Sequence, residues 1–127
     1  MSAKLYLTIA AVVAILYGIA FLLIPGFVVL TFGAPPEVHV NLNLQFCGAA
    51  LLGWGVILWF ARDFRDWQAV RGILIGNAVG ELALLLVNLW ATFQHFLNGL
   101  VWSSTVVTVL LLAGSLYCLS AGARKKA

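Results

Sequence analysis

The sequence predicts an all-α integral membrane protein: one transmembrane domain, residues 1–127, in which four helices form a bundle with antiparallel neighbours. The 127-residue chain is 64% apolar and 9% charged, whereas a soluble domain carries roughly a quarter charged residues. Its apolar residues form four long blocks rather than amphipathic stripes, which indicates lipid as the surroundings. A chain this short has too little interior to bury so much apolar surface in a core of its own.

The positions of the basic residues predict the orientation. If each apolar block crosses the bilayer, every lysine and arginine lies on the same side, because the other two connections contain none. Cationic side chains resist translocation, so both termini are predicted to be cytoplasmic, in a multi-pass protein of the bacterial inner (plasma) membrane. The isoelectric point of 9.2 then follows from topology, and no nucleic-acid partner is expected. The basic residues are Lys4, Arg62, Arg65, Arg71, Arg124, Lys125 and Lys126.

The first half of the chain contains one span and an apolar segment too short to cross. Residues 5–24 exceed the 7–15-residue core that is typical of a signal peptide and are predicted to be a retained span. Pro25 and Gly26 end it, since this pair breaks a helix. Residues 27–33 are predicted to form an interfacial turn on the outer surface. Residues 34–43 form the longest polar connection.

The other three spans are predicted at 44–61, 69–93 and 100–120. With a rise of 1.5 Å per residue, each reaches about 27 Å or more, enough to cross the hydrocarbon. The loop between spans two and three is short, so these spans are expected to pack as an antiparallel hairpin. Tyr6 lies where an interfacial aromatic residue is expected. Trp54 lies deeper and is predicted to be a packing residue.

Glu81 is the only charged residue well inside a predicted span. A carboxylate near the bilayer midplane costs about 2.5 kcal/mol or more, so it is expected to face the protein interior. At 100° per residue, Asn77, Glu81 and Asn88 share one narrow helix face, and Thr108 of span four is predicted to meet Glu81 or Asn88. Three interpretations stay open: Glu81 binds a proton or substrate, pins span three to span four, or contacts another subunit.

Gly72, Gly76 and Gly80 form a GxxxGxxxG series on the same helix, roughly 100° round from Glu81. Small residues at this spacing allow close approach of two helix backbones. The sequence leaves two partners open for this glycine ridge: span two of the same chain, or a homodimer or another membrane subunit. Gly48 and Gly55 give span two a similar surface.

The sequence indicates no catalytic, cofactor or metal site. No Cys/His cluster has the spacing of metal ligands, and no phosphate-binding glycine loop or activated nucleophile occurs. Cys47 and Cys118 are predicted near opposite membrane faces, too far apart for an intramolecular disulfide.

Short segments at the span boundaries carry a family resemblance. They are Pro25, Phe32-Gly33, Gln45-Phe46-Cys47-Gly48 and Asn98-Gly99-Leu100-Val101-Trp102-Ser103. In these segments the chain resembles uncharacterised bacterial four-span membrane proteins that are loosely DoxX-like, although their frequent arginine at the start of span two is Gln45 here. The resemblance implies a small integral membrane protein without established catalytic residues. The small multidrug exporters also have four spans and one membrane glutamate, but theirs lies in the first span.

These observations predict a non-enzymatic membrane protein, a scaffold or accessory subunit. The alternative is a small proton-coupled transporter or exporter that works through Glu81. The two differ in one requirement. A scaffold needs the polar stripe buried and paired, whereas a transporter needs it to line a cavity that water reaches.

Overall fold

The computed structural model describes residues 2–124, with side chains for residues 2–122. Within that range the chain forms five helices and no strand. Four of them are long and apolar enough to cross a membrane, which confirms the all-α, multi-pass prediction at this level. Lys125 and Lys126, part of the predicted basic tail, lie outside the described residues. The helices are α1 (Ala3–Leu23), α2 (Pro25–Thr31), α3 (Val38–Ala61), α4 (Trp67–Phe93) and α5 (Val101–Arg124).

Two elements differ from the sequence prediction. Helix α3 begins at Val38 rather than at 44, so His39, Asn41 and Asn43 lie on its first turns and not in a connection. Hydropathy marks only the part of a helix that suits lipid, whereas backbone hydrogen bonding continues into the polar region. The predicted interfacial turn is the short helix α2, which begins with Pro25 at its first position. A proline fits there because the first helical N–H has no partner inside the helix.

The four long helices form two pairs. Helix α1 packs along α3 and α4 packs along α5, while α1 meets α5 and α3 meets α4 only briefly. The prediction that spans two and three pack against each other as an antiparallel hairpin is therefore wrong, although a short loop joins α3 and α4. The reason is that the glycines of α3 pack closely against α1 instead.

Glycines bring the backbones of α1 and α3 into direct contact. A Cβ atom on Gly48 would lie 2.8 Å from Cβ of Phe21 and 2.9 Å from the carbonyl oxygen of Gly18. One on Gly55 would lie 3.0 Å from the backbone nitrogen of Ile15. Side chains larger than hydrogen would force these helices apart, so the small residues set the helix separation.

Polar contacts also hold the two ends of the bundle. We call the end with the α3–α4 loop the inner end and the opposite end the outer end. At the inner end, Lys4 Nζ lies 2.7 Å from Asp63 Oδ1. At the outer end, the Asn98 backbone N–H donates to the Phe32 carbonyl (2.9 Å) and Asn98 Nδ2 donates to the Thr31 carbonyl (2.8 Å). These two Asn98 bonds are the outer clamp.

The core that all four long helices share lies in the inner half of the bundle. Toward the outer end, the buried residues lie in the seams within each pair, such as Gly18 with Gly48 and Ala91 with Val101. The molecule is therefore closed at its inner half and divided into two pairs farther out. The shared core consists of Tyr6, Leu7, Ala10, Ala11, Leu58, Ala61, Val70, Leu74 and Cys118.

We predict that Gly48→Ala lowers the free energy of unfolding by about 1–3 kcal/mol, because the added methyl group meets backbone atoms that have no room to move. Gly53→Ala is the matched control on the same helix, since a Cβ atom there meets nothing within 4 Å. The measurement is unfolding of the detergent-solubilised protein by SDS. Equal stability of the two variants would contradict the close α1–α3 seam.

The inner-end ion pair predicts a pH dependence. The hydrogen bond and positive charge of Lys4, with a contribution from Arg62, hold the pKa of the Asp63 carboxyl below its usual value. Because this pKa is lower in the folded state, the contact stabilises the protein at neutral pH and is lost as the pH falls through the folded-state pKa. Asp63→Asn should therefore be slightly less stable than the native chain at pH 7. The difference should begin to shrink as the pH falls to about 4 and disappear only below the folded-state pKa.

Thermal unfolding midpoints between pH 3 and pH 7 measure this difference. Lys4→Met is the matched variant and should show the same convergence at low pH. A difference that stays constant across this range would argue against an ion pair in solution.

Candidate functional site

A buried polar cluster joins the four long helices at the inner half. Each helix contributes one side chain: Tyr6 from α1, Trp54 from α3, Asn77 from α4 and Ser115 from α5. We call this set the polar quartet. Asn77 lies at its centre and is 4% exposed, while Tyr6 is 2% and Ser115 0% exposed.

The hydrogen bonds of the quartet saturate the Asn77 amide. Trp54 Nε1 donates to Asn77 Oδ1 (2.9 Å), and because an indole N–H is a donor only, this contact fixes the amide orientation. Asn77 Nδ2 then donates to the Tyr6 hydroxyl (2.6 Å) and to Ser115 Oγ (3.2 Å). The two hydroxyl oxygens lie 2.5 Å apart.

Tyr6 also bonds to backbone. Its hydroxyl donates to the Leu111 carbonyl of α5 (2.9 Å), so its single proton is used there. The Ser115 hydroxyl is then the donor in the short contact with Tyr6. Every member of the quartet has a partner, as hydrocarbon surroundings require.

The outer part of the polar stripe is paired as well. Asn88 is 9% exposed, and its Nδ2 donates to Ser104 Oγ of α5 (3.3 Å). Thr108 is 2% exposed and lies in the α4–α5 seam, but no hydrogen bond within residues 2–122 joins it to Glu81 or Asn88. The antiparallel register of the Asn77–Ser115 and Asn88–Ser104 contacts places Thr108 opposite residue 84, farther out than Glu81. The predicted Thr108 pairing is therefore absent from the described side chains.

Glu81 lies one turn outward from Asn77 on the inward face of α4 and is half-buried. Among the side chains that the structure describes, it makes neither a hydrogen bond nor an ion pair. The ion pairs found involve Lys4, Arg62 and Asp63 at the inner end. Within the described side chains, Glu81 is thus the member of the predicted stripe without a partner, whereas Asn77 and Asn88 both form side-chain hydrogen bonds.

The glycine ridge does not form a close backbone contact with span two. A Cβ atom on Gly72 or Gly80 would meet nothing within 4 Å, and one on Gly76 would meet only the outermost ring carbon of Trp54 at 3.7 Å. The reason is that α3 presents its own glycines, Gly48 and Gly55, to α1. Among the described side chains the ridge is therefore open at Gly72 and Gly80, and its role toward a second subunit stays a prediction.

Two members of the quartet, Tyr6 and Trp54, have roles that the sequence pattern does not predict. Tyr6 was predicted to be an interfacial aromatic residue and is instead buried, so that prediction is wrong. Trp54 packs as predicted, but its hydrogen bond to Asn77 was not expected. The sequence does indicate that Trp54 and Asn77 need partners, because an indole N–H or an amide in the middle of a membrane span has no water to bond. The pairing itself depends on which helices are neighbours.

Comparison with known proteins places the chain in a family. The model of a domain of unknown function, DUF8292, matches residues 1–123. The chain belongs to this family. No curated protein matches the chain, and no solved structure matches it. The DoxX-like resemblance is not tested by these comparisons and stays a prediction.

We predict that Asn77→Leu is more destabilising than Asn88→Leu. The first removes the three hydrogen bonds of Asn77, at roughly 0.6 kcal/mol each in a membrane, so the loss should be about 2 kcal/mol. The second removes one hydrogen bond to Ser104 and should cost about 0.6 kcal/mol. SDS-induced unfolding of both variants gives the values, and a larger effect at Asn88 would contradict a central role of Asn77.

Proposed function

We propose that this protein is a non-enzymatic scaffold or accessory subunit, an integral membrane protein of the bacterial inner membrane with both termini cytoplasmic. The observation that carries the proposal is the pairing of both asparagines of the polar stripe. Asn77 and Asn88 are buried and hydrogen-bonded to side chains of other helices, as a static bundle requires. A transport pathway through the inner half would have to break the polar quartet.

The orientation rests on the charge partition. Lys4, Arg62, Arg65 and Arg71 are all placed toward the inner end, as the positive-inside rule requires for a cytoplasmic surface. The partner of such a subunit is a homodimer copy or another membrane protein. The ridge of Gly72, Gly76 and Gly80 supports this part of the proposal, because Gly72 and Gly80 face open space and Gly76 meets only the tip of the Trp54 ring among the described side chains. Its spacing is that of close helix–helix interfaces.

A second candidate function is proton-coupled transport through Glu81. It is supported by the one feature that the scaffold proposal leaves unexplained, a half-buried carboxylate without a partner in the described part of the chain. Intramembrane acids that are neither paired nor neutralised commonly mark proton or ion pathways.

One experiment separates the two functions. The native protein and Glu81→Gln are reconstituted in liposomes that contain a pH-sensitive dye, and proton movement is followed under imposed pH, sodium and potassium gradients. The scaffold proposal predicts no flux above that of empty liposomes for either protein. Flux in the native protein that Glu81→Gln abolishes would contradict the scaffold proposal and establish the transporter.

Unfolding of the same two proteins provides the internal control. If Glu81 has no partner within the chain, Glu81→Gln should match or exceed the native stability, because a neutral amide is less costly than a carboxylate in lipid. A clear loss of stability would instead show that Glu81 pins the bundle.

A further inference from the structure

The connection between α4 and α5 contains the sequence Asn98-Gly99. When glycine follows an asparagine, its backbone nitrogen reaches the side-chain amide carbon with the least hindrance, because glycine has no Cβ atom. The other asparagines of the chain all lie inside helices and precede larger residues. They are Asn41 and Asn43 in α3, and Asn77 and Asn88 in α4. Asn98 therefore differs from them in the residue that follows it and in its backbone setting.

The backbone nitrogen of Gly99 has no competing hydrogen bond. The N–H groups on either side of it are engaged: that of Asn98 donates to the Phe32 carbonyl (2.9 Å), and that of Leu100 donates to Asn98 Oδ1 (3.0 Å). The Gly99 N–H donates to no acceptor within residues 2–122. Gly99 is also exposed, so its nitrogen can lose a proton to the solvent and act as a nucleophile.

The carboxamide of Asn98 is held close to that nitrogen. Its Oδ1 accepts the Leu100 N–H, which forms an Asx turn across Gly99, and its Nδ2 donates to the Thr31 carbonyl (2.8 Å). These contacts keep the amide carbon on the side of the chain where Gly99 and Leu100 lie. The Leu100 N–H also bonds to the oxygen on which negative charge develops when the amide carbon is attacked, as a donor in an oxyanion hole does.

We propose that Asn98 is a site of spontaneous deamidation and that this modification opens the outer clamp. In the first step the Gly99 nitrogen gives its proton to water and bonds to Cγ of Asn98, while Nδ2 takes up a proton and leaves as ammonia. The product is a cyclic imide. Water then adds to one of the two imide carbonyl carbons and breaks its bond to nitrogen, which yields aspartate or isoaspartate at this position. Water is the only co-reactant that the two steps consume.

Deamidation removes one bond of the outer clamp and displaces the other. Once Nδ2 is lost, the Thr31 carbonyl has no donor there, and a carboxylate oxygen faces it instead, which is repulsive. In the isoaspartate product the backbone runs through the former side chain, so the N–H that bonds to Phe32 also shifts. Helix α2 is thereby released from the α4–α5 connection. The polar quartet lies in the inner half and keeps its hydrogen bonds, so the inference holds whether the protein is a scaffold or a transporter.

Peptide mapping by mass spectrometry tests the site. The native protein is kept in nanodiscs in a mildly alkaline buffer made with water enriched in heavy oxygen, which enters the product when the imide opens, and is then digested in ordinary water. We expect the label at Asn98 to increase with time, and to increase faster as the pH rises, because the attacking nitrogen must lose a proton. The four helical asparagines are internal controls and should stay unlabelled.

Gly99→Ala is the matched variant. A Cβ atom at this position meets nothing within 4 Å, and the φ angle of Gly99 is not positive, so alanine fits without altering the outer clamp. The added methyl group hinders attack by the adjacent nitrogen, and label should enter Asn98 severalfold more slowly. Labelling of this variant at the native rate would overturn the assignment of the site. So would native labelling of Asn98 no faster than that of Asn41.

Hydrogen exchange tests the consequence for the outer clamp. Peptides that cover α2 and the α4–α5 connection should exchange faster in aged native protein and in fresh Asn98→Asp than in fresh native protein. Aged Gly99→Ala should match the fresh native protein. Peptides that contain Tyr6 and Asn77 should exchange equally in all samples, which verifies that the inner half is folded. Unchanged exchange of α2 in aged native protein that carries the label at Asn98 would overturn the opening of the outer clamp.

Discussion

The need to satisfy the Asn77 amide without water organises the inner half of this protein. In hydrocarbon, a carboxamide that lacks partners is costly, and water is not there to replace them. Asn77 meets this constraint with one acceptor contact and two donor contacts, and each goes to a different helix. Because the amide has two distinct ends, Trp54 must lie on one side and the hydroxyls of Tyr6 and Ser115 on the other. The quartet thereby fixes both the neighbours of α4 and their relative depth.

The two helix pairs have a different physical origin. Van der Waals contact at Gly18, Gly48 and Gly55 holds α1 against α3 along most of their length, and the small and hydroxyl residues of α5 do the same against α4. These seams act within pairs only. Between pairs, the described structure relies on the shared apolar core of the inner half, the quartet and the outer clamp. The inner half is therefore held by side chains of all four long helices, whereas Glu81 lies outward of the residues that form this shared core.

Composition and hydropathy were sufficient to predict the all-helical class and four helices long and apolar enough to span a membrane. They also located Asn77, Glu81 and Asn88 on one face, because that follows from the helical repeat alone. The sequence pattern did not predict which helices pack against each other. Gly72, Gly76 and Gly80 have a more regular spacing than Gly48 and Gly55, yet the less regular pair makes the close contact. Tyr6 illustrates the same limit, since its position near a helix end is equally typical of an interfacial residue and of a buried hydrogen-bond donor. Helix boundaries such as Val38 were missed because hydropathy reports the lipid boundary rather than the hydrogen-bonded one.

Asn77 couples α3 and α5, because Trp54 bonds to its oxygen and Ser115 to its nitrogen. A double-mutant cycle of Trp54→Phe and Ser115→Ala tests it most directly, because these side chains contact Asn77 from opposite ends and no hydrogen bond joins them to each other. The free energies of unfolding should be non-additive by about 0.5 kcal/mol or more in the native background, and additive once Asn77 is replaced by leucine. Additivity in both backgrounds would contradict the account, since it would mean that the four helices are held together independently of the quartet.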